Sequence, residues 1–268
     1  MGLSLAKEQT KVLSLKKSLN NGKDFKMQVV LMQDVSGSMS DEFRGSTNSL
    51  MESVLQRVLA FASQVDPDGQ VEMVAFSSRA HYIGNMDIGM FDNATDSFLQ
   101  AAKPVLWGGT DYGCAFECYK KNAGSTKTIV TKTVLQEQAP KGMFGAIKGL
   151  FGAKETVEVQ VQEEVVVAGV KDAKHPTLIV FITDGEDFGN KDRFLNALKE
   201  QVNEGNTFVL LLGAGNEPTD FRLLEHADRQ LEGVSFVSAK GVKDLNNDEF
   251  YSKLMTKELD TFLKGYYK

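Results

Sequence analysis

The sequence predicts an α/β domain with a mostly parallel central sheet, helices on both faces, and an inserted β-hairpin with an amphipathic tip. Three observations predict it. Short, fully apolar runs at 29–32, 178–182 and 208–212 lack the alternation of half-exposed strands, as strands buried on both faces do. Stretches with helical spacing of apolar residues separate them, and strand–helix alternation implies a parallel sheet covered by helices. Residues 124–171 break this rhythm with two Thr- and Val-rich arms around a Gly- and Phe-rich centre.

Taken in order, residues 3–22 place Leu5, Val12, Leu15 and Leu19 at loose helical spacing, and Asn20-Asn21-Gly22 is a helix stop. Residues 1–23 are therefore expected to form an arm packed on the domain edge, with docking to a partner as the alternative. The first strand spans 28–33. A helix follows over 48–65, with Leu50, Val54, Leu55, Val58, Leu59, Phe61 and Ala62 on its core face, and Asp66-Pro67-Asp68-Gly69 ends it. Residues 70–76 and 80–83 read as an antiparallel pair. Helices are expected at 91–102 and 111–121, with Pro104 to Trp107 leading into Gly108-Gly109-Thr110-Asp111.

In the insertion, 126–136 and 155–167 read as a two-stranded hairpin. In its second arm Val157, Val159 and Val161 alternate with Glu158, Gln160 and Gln162. Between the arms, Met143, Phe144, Ile147, Leu150 and Phe151 would share one side of a helix that four glycines weaken. An isolated hairpin is marginal in water, so this tip needs cover. The domain's own surface, a second copy, a partner groove and a lipid interface at 142–153 are the candidates, in that order. Beyond the insertion the pattern resumes with a strand at 177–183, a helix at 192–202, a strand at 207–212, a helix at 221–230, a short strand at 234–237 and a final helix at 250–263. The expected organisation is thus an arm at 1–23, a main domain from 24–123 and 172–268, and a hairpin insertion at 124–171.

Composition narrows the function. With 268 residues, 42% hydrophobic and 25% charged, the chain resembles an ordinary globular protein able to bury a large core. A net charge of −6 gives no basic footprint, so no nucleic-acid partner is expected. No apolar run approaches the ~20 residues that span a bilayer. The N-terminus mixes Lys and Gln among its apolar residues, which reads as cytoplasmic. Cys114 and Cys118 are expected to be reduced, packed thiols, and His81, His175 and His226 are too scattered for a catalytic cluster.

The densest chemistry lies in Met27 to Ser40, MQVVLMQDVSGSMS, where an apolar strand runs into Asp34, Ser36 and Ser38. Short oxygen-bearing side chains at alternate positions beyond a strand end can converge on a small hard cation. Two further pieces extend the set: Thr110 in GGTD, and Asp184 at the end of TLIVFITDG. Both aspartates follow apolar strands, and open α/β sheets bind ligands at the carboxyl ends of their strands.

The order DVSGSMS, GGTD, then an apolar strand with TDG resembles the metal-ion-dependent adhesion site of von Willebrand factor A domains. The WGGTDY and FITDGEDF segments, the N-terminal GLSLAKEQTKV and the tail DEFYSKLMTKELDTFLK resemble the TerF-like group associated with tellurium resistance and chemical stress. The likeness covers most of 1–123 and 172–268 and leaves the insertion as a departure. It implies a Rossmann-like domain with Asp34, Ser36, Ser38, Thr110 and Asp184 as metal ligands. It also implies that Asp34 and Asp184 act partly through water and that Thr110 moves in or out with binding. Mg²⁺ is the expected ion, with Mn²⁺ and Ca²⁺ as alternatives. Asp111, Glu186 and Asp187 stand beside the set as an acidic rim or as residues orienting its waters.

The functional expectation is a metal-dependent, non-enzymatic binding module that captures an Asp or Glu of a protein partner in a bacterial stress-response setting. The alternatives are a metal-assisted hydrolase of phosphate esters and a membrane-apposed scaffold acting through the hairpin tip. Self-association through the insertion is a further expectation.

Overall fold

A computed structural model describes residues 3–45, 49–123, 126–138, 155–167, 174–203, 205–215, 219–245 and 249–268. The chain forms two compact units, Met1–Gly124 with Val170–Lys268, and Ser125–Gly169.

The larger unit holds a six-stranded sheet in the order β3-β2-β1-β6-β7-β8. Its strands are β1 (Gln28–Asp34), β2 (Val71–Phe76), β3 (Ala80–Met86), β6 (Thr177–Thr183), β7 (Thr207–Gly213) and β8 (Val234–Ser238). All neighbours run parallel except β2 and β3, which pair antiparallel at one edge with a register shift between Met73 and Val74. The α/β architecture with a mostly parallel sheet is therefore the one the sequence predicts. Every residue of β6 and β7 is buried, which accounts for the unbroken apolar runs Leu178–Ile182 and Phe208–Leu212 at their centres.

Eight α-helices among the described residues cover the sheet: α1 (Leu5–Lys16), α2 (Leu50–Val65), α3 (Ala94–Ala102), α4 (Tyr112–Asn122), α5 (Lys191–Val202), α6 (Arg222–Gln230), α7 (Phe250–Leu254) and α8 (Lys257–Tyr266). The period-two geometry of β1 sends Val29 and Leu31 into one core and Val30 and Met32 into the other. The first core gathers side chains of α1, α2, α3, α7 and α8. The second gathers those of α4, α5 and α6 around an aromatic group in which Phe181 stacks on Phe76 (ring centroids 4.8 Å apart) and on Phe116 (5.5 Å).

α1 packs against α2 and α7 with Val12 fully buried. Its Glu8, 2% exposed, receives Lys11 Nζ at 2.9 Å and the Tyr251 hydroxyl at 2.9 Å, and lies 3.5 Å from Arg57 Nε. A second buried carboxylate, Glu52 on α2, accepts the Ala94 and Thr95 amides at 3.2 and 2.7 Å and so satisfies donors that the start of α3 leaves without an intrahelical partner.

Several boundaries differ from the sequence expectation. The first helix ends at Lys16: Leu19 is already extended (φ −90°, ψ 165°), and Asn20 and Asn21 follow with positive φ (47° and 56°) in a short 3₁₀ turn. The stretch 91–102 begins as a 3₁₀ segment, Ile88–Asn93, before α3. The single C-terminal helix is two helices, α7 and α8. The Thr256 hydroxyl accepts the Leu259 amide at 3.1 Å, and this N-cap opens a second helix where apolar periodicity runs through.

The smaller unit contains β4 (Thr126–Gln138) and β5 (Glu155–Val167), paired antiparallel from Thr126↔Val167 to Gln138↔Glu155. The expected amphipathic tip between them lies outside the described residues.

Candidate metal centre

β1 is the point where strand order reverses, with β2 on one side and β6 on the other. Loops leaving β1 and β6 therefore diverge and open a crevice at the carboxyl end of the sheet, the usual ligand position in such folds. Asp34 is the last residue of β1, and Asp184 immediately follows β6. Register continues across the strand ends: Gln33 stands opposite Ile182, and one step further the Thr183 hydroxyl donates to Asp34 Oδ2 at 2.5 Å.

Asp34 is fully buried, and its other oxygen, Oδ1, accepts the Ser36 amide at 2.7 Å. Ser36 Oγ lies 3.1 Å from Ser38 Oγ, and the Ser38 hydroxyl donates to Asp184 Oδ1 at 2.9 Å. Four of the five sequence-derived residues thus form one continuous chain of short contacts. Thr110 closes the group from a separate loop. A Cβ built on Gly185 would lie 3.6 Å from both Ser38 Oγ and Thr110 Oγ1, so both hydroxyls face the small space that this glycine leaves empty.

The loop bearing Thr110 is held tightly. Gly37 N donates to Gly108 O at 2.9 Å, Trp107 N to Val35 O at 2.8 Å, and Asp111 N to Ser77 O at 2.9 Å. Gly108 has no room for a side chain: a Cβ there would fall 2.7 Å from Ser77 Oγ and 2.8 Å from Ser78 Oγ. Trp107 itself takes φ +62°, a left-handed conformation uncommon for a bulky residue. On the other side, the Tyr112 hydroxyl donates to Gly185 O at 2.5 Å, and Phe188 N donates to Thr110 O at 2.9 Å. Asp187 Oδ1 accepts the Tyr112 and Gly189 amides at 3.0 and 3.1 Å. The loop after β6 and the segment around Thr110 are therefore bonded to each other along their length.

Electrostatically the crevice is acidic. Burial, with a smaller contribution from Asp184, pushes the Asp34 carboxyl up to about 7 against the opposing hydrogen bonds from Thr183 and Ser36. Burial likewise raises Asp184, opposed by the Ser38 hydroxyl, and Glu42 is raised by burial and by the charges of Asp184 and Asp41. No lysine or arginine is among the groups that shift these three acids. One buried and one half-buried carboxyl, with three hydroxyls and no lysine or arginine among the groups that shift either acid, form a donor set suited to a hard divalent cation. Among the described residues no group of three or more His, Cys, Asp or Glu is placed to hold a metal ion by itself, so an ion here would depend on the hydroxyls as well as the two aspartates.

The neighbouring acids have defined partners. Asp111 caps α4 through the Cys114 amide at 3.3 Å and accepts Arg193 Nη1 at 2.6 Å. Arg193 also pairs with Glu117, which fastens α5 to α4. Glu186 Oε1 accepts the Asp220 amide at 3.3 Å. Sequence reasoning missed Thr183, Glu42 and Arg193. Thr183 had a signal, being the residue before Asp184 on a buried strand, whereas Glu42 and Arg193 stand in ordinary charged stretches. Cys114 and Cys118 are free thiols, and burial pushes Cys114 up to about 12, well away from a reactive thiolate.

Sheet order, switch point and crevice together define a von Willebrand factor A-type domain. A matrix protein of the mussel byssus, proximal thread matrix protein 1, has a similar fold at 12% identity and a TM-score of 0.50, over 86% of this chain and 48% of that one. The same protein is also known with a zinc-occupied MIDAS motif, again at a TM-score of 0.50. Manganese-loaded TRAP of Plasmodium vivax matches at 11% identity and a TM-score of 0.47, over 90% of this chain and 74% of that one. The present chain thus spans about half the length of the mussel protein. The chain belongs to the vWA-TerF-like family, whose model, "vWA found in TerF C terminus", matches residues 26–268. No curated protein matches the chain.

Proposed function

We propose that this protein is a divalent-cation-dependent binding module that captures a carboxylate of a protein partner at the carboxyl end of its sheet. The observation that carries the reading is the convergence of Asp34, Ser36, Ser38 and Asp184 in one contact chain, with Thr110 facing the same space and no basic side chain shifting either acid. In this reading Ser36, Ser38 and Thr110 offer neutral oxygens while Asp34 and Asp184 supply the negative charge. A bound Mg²⁺, with Mn²⁺ and Ca²⁺ as alternatives, would supply an electrophilic centre for an incoming Asp or Glu. Two carboxylates against a 2+ ion leave little net charge, so a further carboxylate is not repelled. The zinc-occupied site of the mussel protein supports a metal in this fold. The role is binding and not catalysis, in a bacterial stress-response setting that the TerF-like resemblance implies. Asp34 and Thr183 hold the floor of the site, and the bonds among Gly185, Asp187, Phe188, Thr110 and Tyr112 hold its rim.

The test is a calorimetric titration of Mg²⁺, Mn²⁺ and Ca²⁺ into the wild type and a Ser36→Ala/Ser38→Ala double variant. Saturable binding to the wild type that falls at least about tenfold in the variant is expected. A wild type that binds none of the three ions at millimolar concentration removes the proposal.

A further inference from the structure

Three large apolar side chains stand exposed among the described residues: Leu13 (44%), Trp107 (42%) and Phe188 (80%). Leu13 lies on α1, away from the crevice. The other two are on the loops that build the candidate metal centre. Trp107 is bonded through its amide to Val35, and the next residue, Gly108, receives Gly37 from between the two serines. Phe188 donates its amide to Thr110 O. Each aromatic is thus one backbone hydrogen bond from a segment that carries proposed ligands, Trp107 on the side of β1 and Phe188 on the side of β6.

The Trp107 position is built to keep its ring outward. The left-handed backbone of Trp107 is a local cost that the surrounding bonds maintain, and such conformations concentrate at binding sites. Its indole meets Phe43 edge-on at 5.9 Å, and Phe43 stacks on Phe98 at 5.9 Å, so the exposed ring stands on a buried aromatic column. Single exposed apolar residues are ordinary on protein surfaces. Two aromatics flanking one acidic crevice form the core of a recognition patch. The surrounding charge restricts the partner further: Glu42 lies close enough to Asp184 for the two to repel, and Glu186 is exposed beside it. A run of acidic residues would meet this rim unfavourably.

We infer that the partner segment presents one Asp or Glu with bulky apolar side chains within a few residues of it, which pack on Trp107 and Phe188, and that an acidic tract is not the ligand. This inference rests on the proposed metal-dependent capture and names the partner's chemistry. The carboxylate addresses the metal, and the apolar neighbours supply most of the discrimination, since every acidic loop carries the former and few carry both.

The test pans a displayed library of random peptides on the immobilised full chain in Mg²⁺ and recovers those that EDTA releases. Recovered peptides are then titrated, by fluorescence anisotropy, against the wild type, Trp107→Ala and Phe188→Ser, with Mg²⁺ affinity measured on each protein. The expected result is enrichment of single-carboxylate peptides with Trp, Phe, Leu or Ile nearby, a loss of at least about tenfold in peptide affinity in each variant, and unchanged Mg²⁺ affinity. Phe188→Ser guards against misfolding, because that side chain is almost wholly in solvent. EDTA-released peptides without apolar enrichment, or wild-type peptide affinity in both variants, overturn the inference and leave metal-dependent capture standing. Mg²⁺ binding with no EDTA-released peptide overturns the capture reading itself, and the inference with it.

Discussion

Replacing Asp34 by Asn separates the cost of the metal site from its use. In the wild type Asp34 Oδ1 accepts the Ser36 amide and Oδ2 accepts the Thr183 hydroxyl. An Asn amide can keep both contacts, its oxygen on Ser36 N and its NH₂ donating to Thr183 Oγ1, while removing the charge. Burial lifts the Asp34 carboxyl from 3.8 to about 7, which corresponds to about 4 kcal/mol against its charged form at alkaline pH. For an acid whose folded value is raised, the stability contribution is complete below the unfolded value of 3.8 and is lost as pH rises through about 7. In EDTA at about pH 8, Asp34→Asn should therefore be more stable than the wild type, by up to about 4 kcal/mol, and the difference should vanish near pH 4. With Mg²⁺ at a hundredfold excess over its dissociation constant, the wild type should regain about 2.7 kcal/mol and the variant almost nothing. Urea denaturation at both pH values, with EDTA or Mg²⁺, reads all of these terms. A variant less stable than the wild type in EDTA at pH 8, or a wild type indifferent to Mg²⁺, would refute the reasoning.

Three further predictions use other parts of the structure. Gly185→Ala should leave the melting temperature near wild type, because its methyl makes ordinary contacts at 3.6 Å, yet it fills the space that Ser38 and Thr110 face and should weaken Mg²⁺ binding at least about tenfold by calorimetry. The Mg²⁺ affinity of the wild type should level off above pH 7 and fall by up to about tenfold per unit below it, because a protonated Asp34 competes with the ion; a flat profile between pH 5 and 8 would place the ion elsewhere. Glu8→Ala should cost about 3–5 kcal/mol in urea denaturation, since it removes the buried carboxylate on which Lys11, the Tyr251 hydroxyl and Arg57 converge, and a loss below about 1 kcal/mol would show that this cluster contributes little to stability.

The sequence by itself determined the local terms. Unbroken apolar runs such as Leu178 to Ile182 admit burial on both faces and little else, so strands, helices and the parallel sheet are legible from pattern. The site's loops were legible too, because Asp34, Ser36 and Ser38 lie within five residues of one another and each aspartate stands at or just after the end of an apolar strand. Tertiary structure decided what no local pattern encodes. Strand order places β6 beside β1 across the intervening chain, and only then does Thr183, 149 positions away, donate to Asp34. The same holds for Glu8 with Tyr251, 243 positions apart, and for Arg193 clamping Asp111. The break between α7 and α8 was hidden because one Thr256 N-cap outweighs a continuous apolar stripe. Side-chain chemistry is set residue by residue, whereas its partners are set by which segments the packed sheet makes neighbours. The contacts that hold the acids of this crevice in place are therefore a property of the fold.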